Sequence, residues 1–374
     1  MDNAICQMTG AEFPLFGFSH CRDVVVAVSR AGGFGVLGAS SFSAEQLEQE
    51  LAWIDAHADG RPYGVDILFP QTQKATPGMT VEDFVSQIPD RHVDFVVELM
   101  EKHGVPLSRS EAVRRTLPPT APDSAEQLLE VAFRHPIKLI ANALGIAPES
   151  MIHHAHAAGV PVAALVGTKE HAVRQAQAGV NIIVAQGGEA GGHCGEVATM
   201  VLVPEVIRAV APFGAPPVLA AGGIVTGQQM AGAMAMGAQG VWTGTVWLAT
   251  SDAETSPVLR DKMVEARSSD TIRSRARTGK PCRQLRSAWH DAWNQPDAPE
   301  TLPLPLMPML STPALRKADR LAEAGSSAAR SFVTYEMGQG VGLVEAVRSA
   351  ADVVQEFKTE FADAYERFTQ VVEG

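Results

Sequence analysis

Asn181-Ile182-Ile183-Val184-Ala185 runs directly into Gln186-Gly187-Gly188-Glu189-Ala190-Gly191-Gly192-His193-Cys194-Gly195. A short apolar run bounded by glycine reads as a buried strand, and this order places a histidine on the loop at the strand's end. Five glycines in ten residues let the backbone take positive-φ turns and press closely against a flat or anionic ligand. His193 is the one side chain there that titrates near neutrality. On its own the stretch reads equally well as a glycine-rich connection carrying a solvated histidine, but the neighbouring strands weigh against that.

Outward from it the chain alternates. Before it lie apolar runs at 13–18, 34–38 and 63–69, with helical spacing at 23–31 and over Ala44–His57, where Ser43 is a good N-cap followed by Glu45 and Gln46. The beat resumes with a strand at 137–143, a helix at 148–158, a strand at 160–166, a helix at 169–178 and the strand 181–185. After the glycine loop come a helix at 203–210, a strand at 218–221, a helix at 227–236 and a strand at 240–243. Eight short strands alternating with helices predict an α/β protein with a parallel sheet closed as a (β/α)8 TIM barrel. Catalytic groups then sit at the C-terminal ends of the strands, and His193 lies just beyond the sixth.

Two stretches break the beat. Residues 70–136 hold helical pieces at 81–88 and 94–103 between proline-rich segments, including Leu117-Pro118-Pro119-Thr120-Ala121-Pro122, and read as a long insertion or lid after strand three. Residues 251–374 carry the run Leu302-Pro303-Leu304-Pro305-Leu306-Met307-Pro308 and read as a C-terminal extension wrapping the barrel, which itself comprises 1–69 and 137–250. Helical apolar spacing over 341–368 packs on the outside or on a partner subunit, which leaves a homodimer open.

Composition removes whole classes of function. With 374 residues, 46% hydrophobic and 19% charged, the chain is globular and long enough to bury a large core. Against 42 acidic residues stand 30 basic ones, and the formal charge of −12 has the wrong sign for a nucleic-acid or anionic-membrane surface, so a small-molecule partner is expected. Cys6, Cys21, Cys194 and Cys282 are too scattered for a zinc site or a disulfide framework, which fits reduced thiols in the cytoplasm. Met1-Asp2-Asn3-Ala4 does not begin a secretion signal, and no apolar run reaches membrane-spanning length. A cytoplasmic location is expected.

In such barrels the loops after strands seven and eight often cradle a phosphate, because backbone N–H groups converge there. Here they read Ala220-Ala221-Gly222-Gly223-Ile224 and Trp242-Thr243-Gly244-Thr245, the last with a hydroxyl to donate. Either loop alone is an ordinary tight turn, whereas the two at consecutive strand ends favour a bound phosphate. His153, His154 and His156 look metal-like, but a helix points 153 and 154 about 100° apart and no carboxylate at i+3 or i+4 completes a set, so no metal is expected. Cys194 adjoins His193, yet Glu189 and Glu196 nearby disfavour a thiolate, and it reads as a packing residue. Arg267, Arg273, Arg275, Arg277, Lys280, Arg283 and Arg286 form a basic cluster. It is either a solvated face or a site for a phosphate-rich ligand such as a coenzyme A ester or a pyridine nucleotide.

Together AVSRAGGFGVLG at 27–38, QGGEAGGHCG at 186–195, AAGGI at 220–224 and GVWTGTVWL at 240–248 resemble the nitronate monooxygenases, formerly called 2-nitropropane dioxygenases. The likeness covers most of residues 10–250, and Thr278-Gly279-Lys280-Pro281 and Gly338-Gln339-Gly340 are also of family type. Its specific part is the glycine–histidine motif. The resemblance implies an FMN-dependent barrel that oxidises alkyl nitronates with O2. By it His193 matches the catalytic histidine, as acid/base or as the group that holds the nitronate. Gly222, Gly223, Gly244 and Thr245 match the phosphate loops, and Gln186 and Gly187 would lie beside the isoalloxazine ring. Members commonly have an Asn in the third strand, where this chain reads Tyr63-Gly64-Val65-Asp66-Ile67. Asp66 can still accept a hydrogen bond from the flavin, but as an anion it disfavours negative charge on a reduced ring. The length of 70–136 points to a larger activated-carbon substrate. The alternative on the same barrel is an FMN reductase or dehydrogenase that uses NAD(P)H on a quinone or an unsaturated acyl thioester, and a flavin-binding protein without turnover is the rival from another class.

Overall fold

The computed structural model describes residues 3–69, 80–116 and 122–373. Residues 70–79 and the proline-rich 117–121, both inside the stretch read as an insertion, lie outside the described residues. Among the described residues, nine strands occupy the first two thirds of the chain: β1 (Leu15–Ser19), β2 (Phe34–Gly38), β3 (Tyr63–Asp66), β4 (Leu139–Asn142), β5 (Val162–Val166), β6 (Ile182–Gln186), β7 (Gly192–His193), β8 (Val218–Ala221) and β9 (Val241–Thr243). All but β7 pair in parallel into a closed barrel, in the order β1 to β6, then β8 and β9, with β9 returning to β1. The chain is therefore a (β/α)8 barrel. Strands such as β2, β4 and β8 are buried along their whole length, because a parallel strand between a packed interior and a helical shell has no wet face.

Phe16, Phe34, Leu139, Ile182 and Leu219 fill the interior. Its lower end is closed by the helix Ala4–Thr9, which puts Ile5 and Cys6 into the same cluster. Asn3 caps that helix by accepting from the Cys6 N–H and also donates to the Gln239 carbonyl, which ties the plug to the chain entering β9. Closure is fixed by side chains as well as by the ladder: the Thr243 hydroxyl donates to the Phe16 carbonyl at 3.0 Å, and the Trp247 indole N–H donates to the Thr243 carbonyl at 3.1 Å. In the shell, Ser43 and Gln46 form a reciprocal capping box that starts the helix Ala44–His57, whose Leu47, Leu51 and Ile54 face the barrel.

The buried apolar side chains of 84–113 belong to a hydrophobic cluster separate from the barrel's, shared with parts of 249–344, among them Trp289, Met307, Leu310 and Leu315. The helix Pro122–Ala132 rejoins the shell beside Ala44–His57. Within the second body, β10 (Thr271–Ser274) and β11 (Cys282–Leu285) form a small antiparallel sheet with β7, in the order β10-β11-β7. The helical spacing over 341–368 materialises later than expected. Gln339–Leu343 is a 3-10 turn, Arg348 bridges Thr250, and the helix Ala350–Glu373 begins where the Asp252 carboxylate accepts from the Ala350 N–H and Ser349 accepts from the Asp352 N–H. That helix returns to the barrel and buries Val353, Val354 and Phe357. β3 likewise stops at Asp66 rather than at residue 69, because the Leu68 N–H turns aside to the Ser40 hydroxyl. Among the described residues no helix is long and apolar enough to cross a membrane.

Candidate active site

A cavity of about 330 Å³ opens at the C-terminal ends of the barrel strands. The barrel contributes its strand ends, including Asp66 of β3, Gln186 of β6, Gly222 and Gly223 after β8, and Gly244 and Thr245 after β9. The second body supplies the facing wall through Thr278, Cys282, Tyr335 and Glu336. His193 joins the two. It sits on β7, paired across to Cys282 of β11, so a residue that follows a barrel strand is held in register by the other sheet.

Its Nε2 lies 2.9 Å from the Thr278 hydroxyl oxygen. Burial pushes the imidazole below its ordinary range; the Glu336 carboxylate opposes that shift and Lys280 adds to it. His193 is accordingly neutral at neutral pH. The Glu336 carboxylate pairs with the Arg277 guanidinium at 2.9 Å. Cys194, next along, is pushed up by burial despite Arg273 and Arg283 nearby, and its thiol donates to the Gly188 carbonyl at 3.6 Å.

Asp66 is buried, and its Oδ1 has no hydrogen-bond partner within the protein. Burial raises its carboxyl to about 7, and a backbone hydrogen bond from Ala143 only partly offsets this. Near neutrality about half of these groups keep their proton, so Asp66 can donate as the amide of an Asn would. Gly222 and Gly223 hold φ of 107° and 72°, left-handed values that L side chains rarely adopt. A Cβ on Gly244 would meet only Phe18, at 4.0 Å, and would otherwise stand in open space at the cavity wall. Thr245 accepts from the Gly338 N–H at 2.8 Å, which leaves its own hydroxyl proton for another acceptor.

Gly187 stands apart from the rest of the expected set. It does not line the cavity; a Cβ there would lie 2.1 Å from the Thr199 hydroxyl, so its missing side chain makes room for the start of the helix Thr199–Val210. Glu189 caps the same helix by accepting from the Thr199 N–H and hydroxyl, both at 2.9 Å. The basic cluster is largely spoken for by internal partners. Arg283 donates to the Gly188 carbonyl, Arg273 to the Cys194 carbonyl and to Glu196, and Arg267 and Arg286 pair with Asp270 and Asp291. Arg273 and Arg283 thus brace the glycine–histidine loop. Sequence reasoning passed over His20, whose Nδ1 donates to the Gly38 carbonyl at 2.9 Å, although its place just after the first strand was a usable signal. It also passed over Tyr335 and Glu336, which no strand-end argument reaches.

A profile of the nitronate monooxygenase family matches residues 14–360. The chain belongs to that family. A Mycobacterium tuberculosis protein named as a monooxygenase is 50% identical over 368 residues, 97% of each chain. A Staphylococcus aureus protein named as a nitronate monooxygenase is 28% identical over 307 residues, 78% of this chain and 81% of that one. Among solved structures, nitroalkane oxidase from Streptomyces ansochromogenes superposes with a TM-score of 0.78 at 24% identity, covering 98% of this chain and all of that one. FabK from Thermotoga maritima superposes at 0.72 and 24%, covering 99% of each, and at such identities both show the fold. As a nitronate monooxygenase family member the protein is an enzyme, a flavin oxidoreductase.

The cavity fits a flavin on its own chemistry. No Lys or Arg lines it among the described residues, so a phosphate there relies on backbone N–H groups of the two glycine loops and on the Thr245 hydroxyl. The unpartnered Asp66 Oδ1 suits the polar edge of the ring system.

Proposed function

We propose that this enzyme binds FMN and oxidises alkyl nitronates, or a larger activated-carbon substrate, with O2. The supporting observation is one cavity that gathers a neutral histidine, two glycine loops suited to a phosphate and a buried carboxyl with one unpartnered oxygen. FMN, when bound, supplies the electron transfer from the substrate carbon and onward to O2. Everything else falls to the chain's own side chains. Gly222, Gly223, Gly244 and Thr245 hold the phosphate, while Asp66 and Gln186 lie towards the ring. Neutral His193 takes a proton from the carbon beside a nitro group, and the imidazolium so formed holds the resulting anionic nitronate. Phe18, Leu68, Leu144, Leu248 and Tyr335 on the cavity wall exclude water and accommodate an alkyl chain.

The test is an anaerobic absorption spectrum of the purified protein before and after propyl-2-nitronate and, separately, NADPH. A flavin spectrum altered by the nitronate alone is the expected result. Bleaching by NADPH alone would replace this reading with a reductase, and a colourless protein that FMN cannot reconstitute would end both.

A further inference from the structure

We infer that Thr278 is a positioning residue that fixes the tautomer of His193, keeping the proton on Nε2 and leaving Nδ1 as the nitrogen for the bound molecule. The inference rests on the reading of His193 as the acid/base group and goes beyond it by deciding which ring nitrogen acts.

The argument is a count of protons. The Thr278 hydroxyl oxygen has three neighbours in hydrogen-bond reach: His193 Nε2 at 2.9 Å, the Lys280 carbonyl oxygen at 3.0 Å and the Lys280 backbone N–H at 3.3 Å. A hydroxyl carries one proton and two acceptor lone pairs. The Lys280 carbonyl can only accept, and giving it the Thr278 proton satisfies both Lys280 groups within the turn. The Lys280 N–H can only donate, so it uses one lone pair. The second lone pair then meets Nε2, which must itself bring a proton. An unprotonated Nε2 would either face that oxygen lone pair to lone pair or take the Thr278 proton and strip the Lys280 carbonyl of its donor.

Local backbone makes this arrangement durable. Thr278 is held to its own turn by both Lys280 groups, and that turn leads into β11, which pairs with β7 under His193. The hydroxyl and the imidazole are therefore placed by the same small sheet, although 85 residues separate them. Donation from Nε2 persists when His193 becomes an imidazolium, so Thr278 keeps its bond through the proton cycle while Nδ1 gains and loses the proton.

The experiment is nitrogen NMR of the full-length, flavin-loaded protein with 15N-labelled histidine, at a pH where His193 is neutral, its signals assigned by their loss in His193→Ala. The expected result is a pyrrole-like Nε2 and a pyridine-like Nδ1. A proton on Nδ1 in the unaltered protein overturns the proposal outright, whatever the substrate proves to be. Thr278→Val, which removes the acceptor but keeps the shape, is expected to mix the tautomers and lower kcat on the order of 10- to 100-fold with flavin content unchanged. Thr278→Ser is expected to restore both. Unmixed tautomers in a folded Thr278→Val protein, or a serine variant as impaired as the valine one, would also overturn it. Because the tautomer is read without turnover, this outcome is independent of whether nitronates are the substrate.

Discussion

Asp66→Asn tests the most consequential departure from the family pattern. The carboxyl sits at the end of β3, fully buried, with Oδ1 unpartnered and its pKa raised from 3.8 to about 7 by burial. Because the folded value is the higher one, the native state keeps a proton that the unfolded chain has already lost. Stability of the flavin-free protein therefore falls as pH rises from about 4 to about 7 and levels off above that. A shift of about three units corresponds to about 4 kcal/mol, of which about 3 kcal/mol develops between pH 5 and pH 8. A chain of 374 residues has an unfolding entropy of about 0.8 kcal/mol/K, so the variant is expected to gain about 3 °C in melting temperature over the unaltered protein between those two pH values. Paired thermal melts of both flavin-free proteins at pH 5 and pH 8 measure this directly. A melting difference that stays the same at both pH values would refute the claim that burial raises the Asp66 carboxyl.

Other predictions concern the two loops and the histidine. On the proposed role, a neutral nitroalkane needs unprotonated His193, and burial lowers the imidazole's pKa; kcat/KM is expected to fall only on the acid side of neutrality. His193→Ala is expected to abolish that limb together with most of the rate, and an unchanged profile would remove the catalytic assignment. Gly223→Val places a branched side chain at a φ of 72° with its Cβ 3.1 Å from the Glu189 Cβ, and a loss of about 10-fold or more in FMN affinity is expected by fluorescence titration. Gly340→Ala sets a Cβ 2.9 Å from the Gly223 carbonyl oxygen and 2.6 Å from Val225, and is expected to weaken FMN binding through the loop while the tautomer of His193 stays the same.

How much of this was legible in the sequence depended on distance along the chain. The eight barrel strands are short apolar runs between turn residues, so local pattern was enough to count them. Gly222, Gly223, Gly244 and Thr245 could be picked out because a barrel brings all its strand ends to one mouth, whereas Asp66 and Gln186 stood out only through the family resemblance. His193 followed from the same rule, but the strand it occupies did not. Two residues have no period, and their partner is at 282–285. Glu336 was out of reach for a different reason: nothing local distinguishes it, and it gains meaning only from Arg277 and from the cavity it faces. Gly187 shows a different limit. A glycine beside a motif invites a ligand, yet here it yields space to Thr199, because a glycine signals close approach without saying of what.

The loops that the sequence presents as separate motifs are held by one turn of the second body. Gly338 donates to Thr245 after β9, Gln339 donates to the Glu189 carbonyl in the glycine–histidine loop, and Gly340 lies against the Gly223 carbonyl after β8. Glu189 in turn caps the helix Thr199–Val210, and the Thr199 hydroxyl reaches the Gly222 carbonyl at 3.0 Å. A shift of residues 338–340 is thereby felt at both phosphate-type loops and at the chain leading to His193. Loops rich in glycine lose much entropy on ordering and hold a geometry only when something outside them over-determines it. In this enzyme the barrel supplies the positions of the loops, while the second body, through this turn and the sheet under His193, supplies their rigidity.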